Sequence, residues 1–124
     1  MFYTVRETAL KLGIPSSKIR FYDKKVLLPF IERSPNGVRI FTEDDVAHLQ
    51  DLLVLKDSGF SLKELAEYVK LEAEGERSVI RRLEMLEQRY NEVGSEIARL
   101  QGVLEILEKQ RQGCIAMLEH QANL

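Results

Sequence analysis

The stretch Phe30-Ile31-Glu32-Arg33-Ser34-Pro35-Asn36-Gly37-Val38-Arg39-Ile40-Phe41 decides the fold. An Asn36-Gly37 pair lies between two short β-prone runs, and Asn-Gly tolerates the positive φ angles of a two-residue hairpin turn. Ile31 and Arg33, then Val38, Arg39, Ile40 and Phe41, would alternate between core and solvent. The arginines make the hairpin basic.

On either side of the hairpin the sequence reads as helix. Thr4 with Glu7, Thr42 with Asp45 and Ser61 with Glu64 each resemble a capping box, and each opens a segment with apolar residues at helical spacing. Glycines 13, 59, 75 and 113 are the candidate stops. Pro15 suits a first helical turn. These signals predict helices over 4–12, about 15–24, 42–58 and 61–73, with a tight turn at Gly13-Ile14. Two short helices joined by a Gly-containing turn have the outline of a helix-turn-helix. A basic hairpin directly after it makes the outline that of a winged helix, with the wing at about 30–41.

From Val79 the apolar period changes. Val79, Leu83, Leu86, Tyr90, Val93, Ile97, Leu100, Leu104 and Leu107 follow one another in steps that alternate between four and three, an unbroken heptad seam. Such a helix would span about 43 Å, longer than the preceding domain is wide, so its seam needs a partner. A second copy of the same helix is the simplest one. Gly94 and Gly102 lie off the seam, where close approach of another backbone would explain them. The seam is expected to end at Arg111 and the helix at Gly113. The chain thus divides into a winged helix-turn-helix at 1–75, a dimerising coiled-coil helix at 76–112 and a short tail at 113–124. The fold class is mostly α.

Charge supports this division. The 124 residues carry a formal net charge of −2, which at face value argues against nucleic acid. Residues 1–41, however, hold eight basic residues against three acidic ones, or +5; residues 42–124 hold ten against seventeen, or −7. A basic end on an otherwise acidic chain points to a polyanion at that end. In the second helix Ser16, Ser17 and Lys18 occupy the first turn, where a recognition helix presents side chains to the groove. Arg20 and Tyr22 offer one phosphate or base contact each, Ile19 should face the core, and Arg33, Asn36 and Arg39 decorate the wing. Lys63 completes the set of DNA contacts.

Other function classes find little support. The composition, 44% hydrophobic and 31% charged, is too apolar for a disordered chain and too charged for a membrane protein. No membrane partner is expected, and the N-terminus has no signal-peptide layout. One cysteine, Cys114, excludes an intrachain disulfide and fits a reducing cytoplasm. His48 and His120 are the only histidines, and there is no Gly-rich phosphate loop, metal-spaced acidic cluster or Cys-x-x-Cys. An enzyme is therefore not expected, nor is any cofactor. Cys114 and His120 are six positions apart, about 240° around a helix, so they would not share a ligand face. Three roles stand open for Cys114: a small apolar packing residue, a redox-reactive effector thiol, or half of an intersubunit thiolate site.

The sequence resembles the MerR family of bacterial transcription regulators. The resemblance rests on Tyr3-Thr4-Val5, Gly13-Ile14, Ile19-Arg20-Phe21-Tyr22-Asp23, Leu27-Leu28-Pro29 and Asn36-Gly37-Val38-Arg39-Ile40-Phe41. Thr42-Glu43-Asp44-Asp45 and Ser58-Gly59-Phe60-Ser61-Leu62-Lys63-Glu64-Leu65 complete it. It implies a homodimer held by an antiparallel coiled coil that binds an inverted repeat in a promoter spacer. On receiving a signal, the dimer would bend and untwist the DNA so that RNA polymerase can use the promoter, an indirect partnership. It also implies backbone contacts from Arg20 and Tyr22 and wing roles for Arg33 and Arg39. Phe21 departs from the usual tyrosine, Ser17 from a common arginine and Val38 from a common tyrosine, so no operator sequence transfers. The paired thiols of metal-sensing members are absent, which leaves a small organic or reactive species, or occupancy alone, as the signal. The competing reading is a coiled-coil scaffold protein with a vestigial helix-turn-helix, which would ignore duplex DNA.

Overall fold

A computed structural model describes every residue except Leu27, Pro29 and Phe30, and also leaves out the side chain of Val26. The first residue expected in the wing, Phe30, and two residues of the Leu27-Leu28-Pro29 motif therefore lie outside the described residues. The chain divides into two compact units, Met1–Leu86 and Glu87–Leu124.

The first unit contains α1 (Val5–Leu12), α2 (Ser16–Val26), β1 (Glu32–Arg33), β2 (Arg39–Ile40), α3 (Glu43–Asp57) and α4 (Leu62–Ala73). A 3₁₀ turn at Gly75–Ser78 then leads into α5 (Val79–Ala122). All three capping boxes form. Glu7 and Glu64 reach back to the backbone N–H of Thr4 and Ser61 at 3.0 Å, and even the shorter Asp45 reaches that of Thr42 at 2.9 Å. Each box ties down two N–H groups that the helix cannot satisfy, an effect of about 1 kcal/mol apiece. Gly13 closes α1 in the left-handed conformation, φ 68°, and donates to the carbonyls of Ala9 and Leu10. That turn lets α2 fold back against α1.

The core draws on α1 to α4, on Phe41 after β2 and on Met85 of α5, while both residues of β1 are exposed. Ile19 of α2, Phe41 at the end of the wing, Leu49 and Leu52 of α3, Phe60 just before α4 and Leu65 of α4 are all nearly or wholly inaccessible. Phe60 and Tyr68 meet edge to face at 5.9 Å. His48 of α3 sits 3.0 Å from the Glu72 carboxylate of α4. Arg82 binds the Ser78 hydroxyl at 3.0 Å and the Gly75 carbonyl at 3.1 Å, holding the turn before α5.

The wing departs from expectation in its loop. Arg33 pairs with Arg39 and Glu32 with Ile40. Ser34 N–H donates to the Val38 carbonyl at 2.7 Å and Gly37 N–H to the Ser34 carbonyl at 2.8 Å. The loop is therefore the three residues Pro35-Asn36-Gly37, not the two-residue Asn36-Gly37 turn. Proline's fixed φ suits the second position of a type I turn, and such a turn needs one left-handed residue after it to rejoin the strands. Gly37, at φ 80°, supplies it. At the wing's base Tyr3 and Phe41 exchange both backbone hydrogen bonds, at 2.7 and 2.9 Å, which adds an N-terminal residue to the hairpin.

Glu87–Leu124 is a single helical stretch, the greater part of the 44-residue α5. The helix does not stop at Gly113. It runs through to Ala122, and Gly113 is not among the positive-φ glycines. A glycine ends a helix by turning left-handed; where the chain beyond is helix-prone it costs only about 1 kcal/mol relative to alanine. Residues 113–122 thus continue the helix. With Gly113 helical, Cys114 and Leu118 take up the heptad spacing seven and eleven positions after Leu107. Ion pairs three apart, Glu96–Arg99 at 2.6 Å and Glu108–Arg111 at 3.1 Å, lie along the helix.

Candidate nucleic-acid interface

The interface starts with the way α2 is divided. Ile19 and Tyr22 face inward, while Ser17, Lys18, Arg20, Phe21, Lys24 and Lys25 are exposed. Residues three and four apart share a helix face, so Ser17, Lys18 and Phe21 form one cluster and Arg20 and Lys24 another beside it. Ser16, at the start, is half-buried. Among the described residues, Lys18, Arg20, Lys24, Lys25 and Lys63 make no salt bridge. Their charges are open to an external anion.

Tyr22 differs from expectation. It is 5% exposed and belongs to the core, and burial, followed by the Asp57 charge, raises its pKa. The exposed ring at this point of α2 is Phe21, packed edge-on against Tyr22 at 6.0 Å. Helical phase decides which of two adjacent aromatics faces out. Phe21 was not among the contact residues expected from the sequence, although its place beside Lys18 was legible there.

The wing arginines are not free. Arg39 Nε donates to Asp23 Oδ2 at 2.6 Å, and Arg33 Nη2 donates to the same oxygen at 3.2 Å. Arg33 Nη1 also reaches the Gly37 carbonyl at 3.2 Å. Asp23, the only acid on α2, therefore ties the wing to that helix. Sequence reasoning missed Asp23, because nothing in the chain announces a contact between residues 16 positions apart. Asn36, at the tip of the wing, and Lys63, in the first turn of α4, are exposed.

At the wing's other edge, the Tyr3 hydroxyl donates to the Glu43 carboxylate. The Lys11 ammonium lies 4.7 Å over the Tyr3 ring. The hydrogen bond to Glu43, then burial, raises the Tyr3 pKa. The α2 face and the hairpin are thus held to one scaffold, α2 through Asp23 and the hairpin base through Tyr3.

The family described as MerR HTH family regulatory protein matches residues 3–72, and that described as MerR, DNA binding matches residues 46–110. The chain belongs to the MerR family of DNA-binding transcriptional regulators. An uncharacterized HTH-type transcriptional regulator of Haemophilus influenzae is 37% identical over 108 residues, covering 87% of this chain and 80% of that one. The regulator ZntR of Escherichia coli K12 is 26% identical over 113 residues, 90% of this chain and 80% of its own. Among solved structures, HiNmlR, a MerR family regulator lacking the sensor domain and bound to promoter DNA, superposes with a TM-score of 0.81. It is 36% identical, with 89% of this chain and 87% of that one covered. A MerR family regulator from Bacillus thuringiensis gives 0.77 at 29% identity, with 89% and 96% covered. These likenesses favour the regulator over the scaffold reading, and the relatives are transcriptional regulators by name.

The MerR-type chain leaves its heptad seam uncovered in one copy. Val79, Leu83, Tyr90, Val93, Ile97, Leu100, Leu104 and Leu107 are all at least 40% exposed. Leu86 is the exception: it packs against the core of the first unit. Cys114 is exposed. Among the described residues there is no group of three or more His, Cys, Asp or Glu able to hold a metal ion, and no helix is long and apolar enough to cross a membrane.

Proposed function

We propose that this MerR family regulator binds promoter DNA as a homodimer. The observation that carries the proposal is the open basic face of α2 beside a wing fastened to the same helix. It occurs in a chain 36% identical to a relative described as bound to promoter DNA. Ser16, Ser17 and Lys18 meet base edges in the major groove, and Arg20, Arg33 and Lys63 meet phosphates, with Asn36 at the tip of the wing. Phosphate contacts supply most of the affinity and make it salt-dependent.

The second copy follows from α5. A seam of large apolar side chains over four heptads is unstable in water, and an identical helix buries it with two-fold symmetry. We assign the antiparallel arrangement that the family resemblance implies. A two-fold dimer reads an inverted repeat, with residues 1–75 as the reading head and the helix beyond as the pairing element. Bending and untwisting the spacer between the half-sites would cost of order 1–10 kcal/mol, offset by the extra contacts of the bent form. RNA polymerase is then served indirectly, through the geometry of the promoter. The work is that of a cytoplasmic binding protein and not of an enzyme.

Fluorescence anisotropy of a labelled duplex from upstream of the gene, titrated at several KCl concentrations, tests this reading. The expected result is a steep linear fall of log affinity with log salt, together with a dimer in sedimentation. Dimers that ignore the duplex at low salt would refute it.

A further inference from the structure

We propose that Asp23 is a positioning residue for DNA binding. In this assignment the Arg39–Asp23 bond holds the wing against α2, and Arg33 is the wing arginine that leaves Asp23 for a phosphate. The inference rests on the DNA-binding reading above and deepens it.

Strand register is where the argument begins. Arg33 and Arg39 are direct cross-strand partners in an antiparallel pair, so their side chains rise from the same face. Like charges placed directly opposite each other destabilise a hairpin. This hairpin has two residues in each strand, too few for stability of its own. A counter-charge is required, and Asp23 provides it: one oxygen, Oδ2, accepts from both guanidinium groups, at 2.6 Å from Arg39 and 3.2 Å from Arg33. The same carboxylate lies on the helix proposed to enter the groove. An acid there would repel the phosphates if it served no other purpose.

The two arginines are not equivalent. The Arg39 side chain is 23% exposed and makes the shorter bond, whereas that of Arg33 is 51% exposed and makes the longer one. Arg33 can exchange its carboxylate oxygen for a phosphate oxygen with no loss of charge-assisted hydrogen bonds, and Asp23 then remains neutralised by Arg39. Arg39 cannot leave without freeing the wing. The pair of arginines therefore divides into one that positions and one that touches DNA.

The test uses the full-length protein and a fluorescent duplex from upstream of its gene, with amide hydrogen exchange of Glu32–Ile40 measured without DNA. Asp23→Asn removes a negative charge facing a polyanion, so a plain surface-charge role requires tighter binding. The positioning role requires binding weaker by about tenfold, the size of one charge-assisted hydrogen bond. It also requires faster exchange confined to the wing, at an unchanged melting temperature of the helical core. Asp23→Glu keeps the charge and should restore most of the affinity. In an Arg39→Gln background the like-charge pair is gone, so Asp23→Asn should cost little more. Arg33→Gln should lower the log–log salt slope by about 0.9 per subunit. Tighter binding by Asp23→Asn, unaltered wing exchange, or additive losses with Arg39→Gln would each overturn the proposal. A wild-type protein that fails to bind duplex overturns the DNA-binding reading itself, and the wing exchange then shows separately whether the clamp exists.

Discussion

Thr8 lies in the middle of α1, wholly buried, and its hydroxyl oxygen has no hydrogen-bond partner among the described residues. A buried hydroxyl without a partner forfeits its hydration for nothing, at about 1–3 kcal/mol. Valine has nearly the same shape, with a methyl group in place of the hydroxyl. Thr8→Val therefore removes that penalty and gains the burial of a methyl group, about 0.8 kcal/mol. Thr and Val have similar helix propensities, so the backbone contributes little either way. The expected net stabilisation is about 2–4 kcal/mol. For a folding unit of this size each kcal/mol raises the melting temperature by about 4–8 °C. Thermal unfolding followed by circular dichroism reads the change, at one fixed protein concentration, because a dimer's melting point moves with concentration. Thr8→Ser is the control: it keeps the lone hydroxyl, deletes the methyl group and should destabilise. A Thr8→Val protein that melts below the wild type would refute the reasoning, since it would mean the hydroxyl has a partner, such as a buried water.

Arg20→Gln should lower the salt slope of DNA binding by about 0.9 per subunit and leave the melting temperature unchanged; a loss of stability instead would make Arg20 structural. Leu100→Asp should abolish the dimer in sedimentation while the head stays folded. Leu86→Asp should instead destabilise the head first, by about 2 kcal/mol or more, seen as a lower melting temperature, because Leu86 packs against the core. Glu7 has its pKa lowered from 4.5, first by the Thr4 backbone N–H and then by the Thr4 hydroxyl. A lowered carboxylate pKa stabilises the fold above the unfolded value and loses that effect as pH falls through the folded one. The stability difference between wild type and Glu7→Ala should accordingly be constant at neutral pH and shrink below pH 4.5 in pH-resolved melts; a difference that grows on acidification would contradict the cap.

Much of this molecule is legible residue by residue because it depends on neighbours in the chain. A capping box joins residues three apart, so Thr4 with Glu7, Thr42 with Asp45 and Ser61 with Glu64 announce three helix starts without reference to the rest of the fold. The heptad seam is likewise a repeat of fours and threes, and the +5 charge of residues 1–41 is a count. Local rules fail where two of them compete. Asn36-Gly37 alone would make a two-residue turn, but Pro35 pulls the loop into a type I turn and leaves Gly37 to complete it. At Gly113 the local stop signal loses to a helix that continues on both sides.

Packing settled the rest. Tyr22 and Phe21 are adjacent and both aromatic, and only the docking of α2 on α1 and α4 buries the first and exposes the second. Arg33 and Arg39 read equally well as DNA contacts until the hairpin register sets them opposite each other and α2 brings Asp23 within 2.6 Å of one and 3.2 Å of the other. The net charge of the basic end can be counted along the chain. Which of its cations are spent within the protein depends on distances across space, and those exist only once the helices and the wing have packed.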